Sequence, residues 1–145
     1  IFCAFMTFKD PKKSNIPDIG LRIVLMISPV ICLMVTLVII TYSLGYRFDI
    51  SLIVNIVLGL IFIILGNYLP KIKRNYTIGI RTSWALNSDE NWSRTHRFAG
   101  YVFVITGMLY IIFSMLGYMY IGLGILLISS LLCFGYSYSL YRKGI

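Results

Sequence analysis

The sequence predicts an all-α fold, a polytopic transmembrane helical bundle with four full spans preceded by the remnant of an earlier helix. Three observations predict it. Hydrophobic residues make up 59% of the chain and charged ones only 12%, about half the charged share of a soluble domain. Four apolar stretches lack Lys, Arg, Asp, Glu and His, each about 20 residues long, enough to cross a hydrocarbon core at about 1.5 Å per residue. Basic residues collect in alternate connections, which places them on one side of a bilayer. A soluble core of this size could not hide so much apolar surface, whereas lipid is a solvent for it.

Taken in order, Ile1–Phe8 is apolar but too short to cross, and reads as the end of a preceding helix, so a piece of protein is expected before it. The polar, proline-broken run Lys9–Asp18 is a loop. Residues 1–22 thus form the helix remnant and a basic loop, and residues 23–145 the four-helix membrane domain. The first span is Ile23–Tyr42, where Pro29 is expected to kink a helix that neighbours can tolerate in a membrane. A short turn, Leu44–Asp49, leads to the second span, Ile50–Leu69. A long loop, Pro70–Arg97, leads to the third, Phe98–Gly117. The tight connection Gly117–Tyr118 leads to the fourth, Met119–Tyr141. Backbone in lipid must bond to itself, and these stretches are too long and uniformly apolar for barrel strands, so each is a helix. Tyr42, Tyr46, Tyr68, Tyr76, Tyr118, Tyr120, Tyr138 and Tyr141 lie near span ends, where an amphipathic ring suits the interface.

Net charge is +8, but placement matters more than the sum. Lys9, Lys12, Lys13 and Arg22 precede the first span. Lys71, Lys73, Arg74, Arg81, Arg94 and Arg97 lie in the long loop, and Arg142 and Lys143 at the end. Four crossings put all of these on one side and leave Arg47 alone on the other. The positive-inside rule then makes the 70–97 loop and the C-terminus cytoplasmic, in a plasma membrane. No direct nucleic-acid contact is expected. Cys3, Cys32 and Cys133 lie in apolar runs without a CxxC, and read as buried small hydrophobes.

The long loop is the one dense polar feature. Its basic groups suit anionic lipid headgroups, with Trp84, Leu86 and Trp92 dipping into the interface. Asn87 or Ser88 can cap a helix whose first turn holds Asp89 and Glu90. Glu90 and Arg94 are four apart, in the better orientation for a pair, and Trp92 and His96 share a face. A short amphipathic interfacial helix is expected from Ser88, continuing into the third span. Catalysis is not expected. His96 is the only histidine, so a metal site of three or four convergent ligands cannot be assembled. A Ser88, His96, Asp89 set lacks the strained turn of a hydrolase nucleophile. No cofactor is implied. The bland reading of His96 is an interfacial group bonded to a neighbour.

Ion-coupled transporters place ionisable groups within the membrane; these spans hold none, and Asn55, the one strongly polar side chain well inside a span, is expected to bond between helices. Gly59 and Gly66 are seven apart, as are Gly100 and Gly107. That spacing keeps each pair on one helix face, so two antiparallel helices can approach closely there. The alternative is that glycine is simply frequent in membrane helices.

Gly66-Asn67, Pro70-Lys71, Asn75, Gly79-Ile80-Arg81-Thr82, Trp84, Trp92, Thr95-His96-Arg97 and Gly100, with Ser43-Leu44-Gly45-Tyr46 before the second span, resemble the SdpI family of bacterial membrane proteins. The resemblance covers roughly residues 41–107 by motif and the rest by hydropathy. Ser83 and Ala85 stand where the family usually has Pro and Thr, and the family tends to have further N-terminal helices. The resemblance implies a multi-span, non-catalytic protein that gives immunity to a membrane-active killing peptide. It also implies signal transduction, by holding a small transcriptional autorepressor at the membrane. Candidate partner-binding residues are Asn67, Pro70, Lys71, Asn75, Gly79, Arg81, Thr82, Trp84, Trp92, His96 and Arg97. A small transporter, or a structural subunit of a membrane complex, is the alternative.

Overall fold

The computed structural model describes residues 18–47, 49–118 and 121–145. Among them run α1 (Asp18–Ser43), α2 (Ile50–Tyr68), α3 (Ser83–Asn87), α4 (Asp89–Met115) and α5 (Ile121–Arg142), with a 3-10 turn at Leu69–Lys71 and no strand. Four helices are long and apolar enough to cross a membrane, over Leu25–Ser43, Ile50–Lys71, Asp89–Met115 and Gly124–Arg142. The chain is a multi-pass membrane protein. The apolar remnant Ile1–Phe8 and the basic run before Asp18 lie outside the described residues.

In α1 the hydroxyls of Thr36, Thr41 and Ser43 donate to the carbonyls of Cys32, Leu37 and Ile39 one turn back, so these three hydroxyls are satisfied locally. Pro29 lies inside α1 without ending it. None of the span Leu25–Ser43 is buried against the rest of the chain. Cys32 is exposed there, which corrects its reading as a buried residue; Cys133 is buried, and Cys3 lies outside the described residues.

Asp49 begins α2 by accepting the N–H groups of Ser51 and Leu52 at 3.0 and 3.2 Å, two donors that would otherwise lack partners. Pro70 has no N–H to continue the ladder, and α2 tightens into the 3-10 turn around it. The main contact of the bundle is α2 against α4, followed by α4 against α5. A Cβ on Gly66 would lie 2.7 Å from the carbonyl oxygen of Gly100, and one on Gly59 2.7 Å from that of Gly107. The two backbones therefore meet glycine to glycine, antiparallel, at two levels seven residues apart. Lipid supplies no hydrophobic drive between helices, so this close approach gains its energy from dispersion. Phe62 meets Phe103 edge to face at 5.5 Å beside it, and Phe98 stacks on Tyr136 at 4.3 Å between α4 and α5.

The third membrane helix begins nine residues before Phe98, at Asp89, capped by Ser88. The long connection is correspondingly shorter than 70–97, and part of it forms α3. Asn55 lies beside Tyr110, Ser114 and Gly122, and among the described residues it makes no interhelical hydrogen bond of the kind expected of it.

Candidate functional site

The segment between α2 and α4 folds into a cap over the helix ends, held by side chains pointing back into it. Asn75 is fully buried. Its carboxamide oxygen accepts the N–H groups of Thr77 and Ile78 at 2.9 and 2.7 Å, and its nitrogen donates to the carbonyl of Lys73. One short side chain thus turns the chain by mimicking backbone. Ile72 and Trp92 are buried together with Ala85, and the Trp92 indole donates to the carbonyl of Ile72 at 2.8 Å.

His96, 1% exposed, clamps the next stretch. Its ring stacks on Trp92 with centroids 4.1 Å apart. A backbone N–H can only donate, so the bond from Ile80 to Nε2 at 3.0 Å makes Nε2 an acceptor. The proton must then sit on Nδ1, which donates to the carbonyl of Trp92 at 2.9 Å. This is a neutral imidazole with both nitrogens engaged. Gly79 lets the ring approach: its φ is +120°, which disfavours any side chain, and a Cβ there would collide with His96 Nε2.

A second knot ties the cap to α5. Ser137 donates to the Oδ1 of Asn91 at 3.0 Å. Its oxygen accepts the indole N–H of Trp84 at 2.8 Å and the hydroxyl of Thr82 at 3.1 Å, which itself accepts the N–H of Ala85 to cap α3. Asn91 also accepts from Thr95 at 3.1 Å and donates to the carbonyls of Ser137 and Ile145. Asn91, Thr95 and Ser137 are fully buried, and each has its partners, the condition under which such a network stabilises. Trp84 stacks on Tyr141 of α5 and meets Phe134 and Tyr138 edge to face.

The outer face is basic. Arg74 is paired with Asp89 at 2.6 Å and donates to the carbonyl of Leu86. Arg94 pairs with Glu90 at 2.6 Å, both exposed. Lys71 stands over the Tyr68 ring at 5.0 Å. Arg81 donates to the carbonyl of Tyr76, and Lys73, Arg81 and Arg97 are exposed.

The candidate residues therefore divide. Asn75, Gly79, Thr82, Trp84, Trp92 and His96 build the cap, whereas Asn67, Pro70, Lys71, Arg81 and Arg97 lie exposed, and Asn67 bonds one turn back to Ile63. Trp92 does not dip into the headgroup layer: it is 2% exposed, inside the protein. His96 is likewise interior rather than interfacial. Sequence reasoning missed Asn91 and Ser137, the centre of the second knot; the available signal was the polar interruption Ser137–Ser139 in the last span, opposite an Asn91–Thr95 pair one turn apart.

Residues 71–137 match the SdpI/YfhL protein family. The chain is similar to the immunity protein SdpI of Bacillus subtilis (strain 168), 38% identical over 72 residues that make up 50% of this chain and 35% of that protein. The chain thus matches about a third of the length of that relative. No solved structure matches. The family match takes in the cap, α4 and most of α5; Gly66-Asn67 and Ser43–Tyr46 fall outside it.

Proposed function

We propose, from the match of residues 71–137 to the SdpI/YfhL protein family and the likeness to the immunity protein SdpI, that the chain protects a bacterial membrane against a membrane-active peptide, acting by binding rather than catalysis, with the cap as its working surface. One observation carries this reading. Within the cap and where α4 and α5 meet it, the buried side chains of Asn75, Asn91, Thr95, His96 and Ser137 are spent on fixing the cap. What remains on the outside is a rigidly mounted basic surface, Lys73, Arg81 and Arg97, and a binding surface gains from such preorganisation. The two ring nitrogens of His96 are both occupied, which suits a clamp and not a proton carrier.

The charge distribution supports a cytoplasmic cap and C-terminus, with Arg47 outside. Labelling of Asn87→Cys on intact cells by an impermeant thiol reagent is expected to be negligible, and Leu44→Cys to label strongly; the opposite pattern reverses the topology. Function is tested by survival of a susceptible bacterium exposed to the killing peptide. Arg81→Ala and Arg97→Ala are expected to reach normal levels in the membrane yet lose protection. Full protection by both at normal expression overturns the working-surface reading. The same exposed basic groups favour a second reading, retention of a small, acidic-surfaced autorepressor at the membrane. Under that reading the two variants release a fluorescently tagged repressor into the cytoplasm.

A further inference from the structure

Beside the cap, a cleft of about 390 Å³ opens between the segment Lys71–Arg74 and the start of α4, lined by Lys71, Lys73, Arg74, Asp89 and Ser93 with Trp92 at its base. We propose that this cleft binds the phosphate of an anionic membrane lipid. The proposal rests on the reading of the cap as a surface at membrane level, and it names one ligand of that surface.

Three features point to it. The first is depth. The apolar run of α2 ends at Leu69 and that of α4 begins at Phe98, so the cleft lies where both helices leave the hydrocarbon. Ser93 stands five residues beyond Phe98, about 7.5 Å along the helix, and the headgroup layer of one leaflet is roughly 5–7 Å thick. The second is charge. Asp89 is matched by Arg74 at 2.6 Å, which leaves the two ammonium groups of Lys71 and Lys73 as the net charge of the lining. The third is the mounting. Ile72, between the two lysines, is buried, and its carbonyl is held by the Trp92 indole. Lys71 and Lys73 therefore flank a fixed point, and Lys71 is further placed over the Tyr68 ring. Lysine reaches phosphate as a point charge, and the Ser93 hydroxyl adds a neutral donor.

The test uses the whole chain purified in non-ionic detergent from bilayers of equal parts phosphatidylcholine and phosphatidylglycerol, with retained lipid read by native mass spectrometry. One phosphatidylglycerol per chain is expected, in preference to phosphatidylcholine. Lys71→Gln/Lys73→Gln is expected to lower its retention about 30-fold, from about fivefold per basic residue. Lys71→Arg/Lys73→Arg and the equally charge-reduced Arg142→Gln/Lys143→Gln are expected to retain it. Equal retention of the two lipids by the unaltered protein overturns the proposal even if the glutamine variant fails to fold. Loss in the Arg142/Lys143 variant equal to that in the Lys71/Lys73 variant overturns it as well. Displacement of the lipid by millimolar inorganic phosphate, without selection between lipids, assigns the cleft to a soluble anion and also overturns it. Protection against the peptide is read separately, on Arg81 and Arg97, so either reading can fail alone.

Discussion

Halfway along the bundle α4 meets α2 through bare backbone, whereas at its start it meets the cap and α5 through side-chain hydrogen bonds. The seam consists of Gly59 against Gly107 and Gly66 against Gly100, and works because nothing is there. The cap consists of Asn75, His96, Asn91 and Ser137 with their partners, and works because these buried side chains meet donors and acceptors placed to match them. The difference follows from the surroundings. Between helices in lipid, burial of apolar groups gains nothing over lipid, and only close packing favours contact. At the helix ends the chain must turn, and a turning backbone buried without partners is costly. The seam should therefore be sensitive to added atoms and the cap to removed ones. In contrast to both, α1 has neither device, and none of its span is buried in this chain.

The largest effect is expected at the seam. Gly107→Leu puts a branched side chain where even a Cβ would collide with the carbonyl oxygen of Gly59 and press on Ile63. A loss of about 3 kcal/mol is expected, at the upper end of overpacking costs, seen as misassembly or a much lower unfolding midpoint in detergent. An unchanged midpoint would mean that the two helices do not depend on this contact.

In the cap the corresponding change is a deletion. Ser137→Ala removes the acceptor of the Trp84 indole and the Thr82 hydroxyl, and should cost about 2 kcal/mol by leaving buried donors unpaired. Ser130→Ala on the same helix, where the exposed hydroxyl only returns to Leu126, is the control and should change stability little. Equal effects from the two would deny the knot its role. A smaller loss, about 1.5 kcal/mol, is expected for His96→Phe, which keeps the stacking on Trp92 but removes the acceptor of the Ile80 N–H. Hydrogen exchange at the Ile80 amide should accelerate; unaltered protection there would show that the histidine does not hold the loop. Smallest of all is Glu90→Ala. Its partner Arg94 is exposed, as is Glu90, and such pairs contribute under about 1 kcal/mol. A midpoint shift as large as that of Ser137→Ala would put the outer face on a par with the interior.

Much of the fold was legible because lipid imposes simple rules. Length without charge predicts a crossing helix, and α1, α2, α4 and α5 are each long and apolar enough to be one. Local chemistry was legible as well: Ser88 accepts the N–H of Asn91 to cap α4, and Glu90 reaches Arg94 one turn on. These are contacts within a turn of helix, set by spacing alone. Motif residues such as Asn75, Gly79 and His96 stood out in the sequence, but their division into builders and surface did not. An exposed Trp at a membrane interface and a buried Trp under a loop read alike, which is why Trp92 was misplaced.

The sequence by itself determined that the chain lives in a membrane, that four of its helices are long and apolar enough to cross it, and which residues could share a helix face. Those properties depend on composition and on the period of the helix, and both are written residue by residue. Only the tertiary structure decided that the Pro70–Ser88 connection folds inward, that Asn91 and Thr82 converge on Ser137 some fifty positions away, and that Lys71 and Lys73 face one cleft with Ser93. Those depend on where α5 and the start of α4 lie relative to the loop. A hydrogen bond between distant residues requires an angle and a distance that no local spacing specifies.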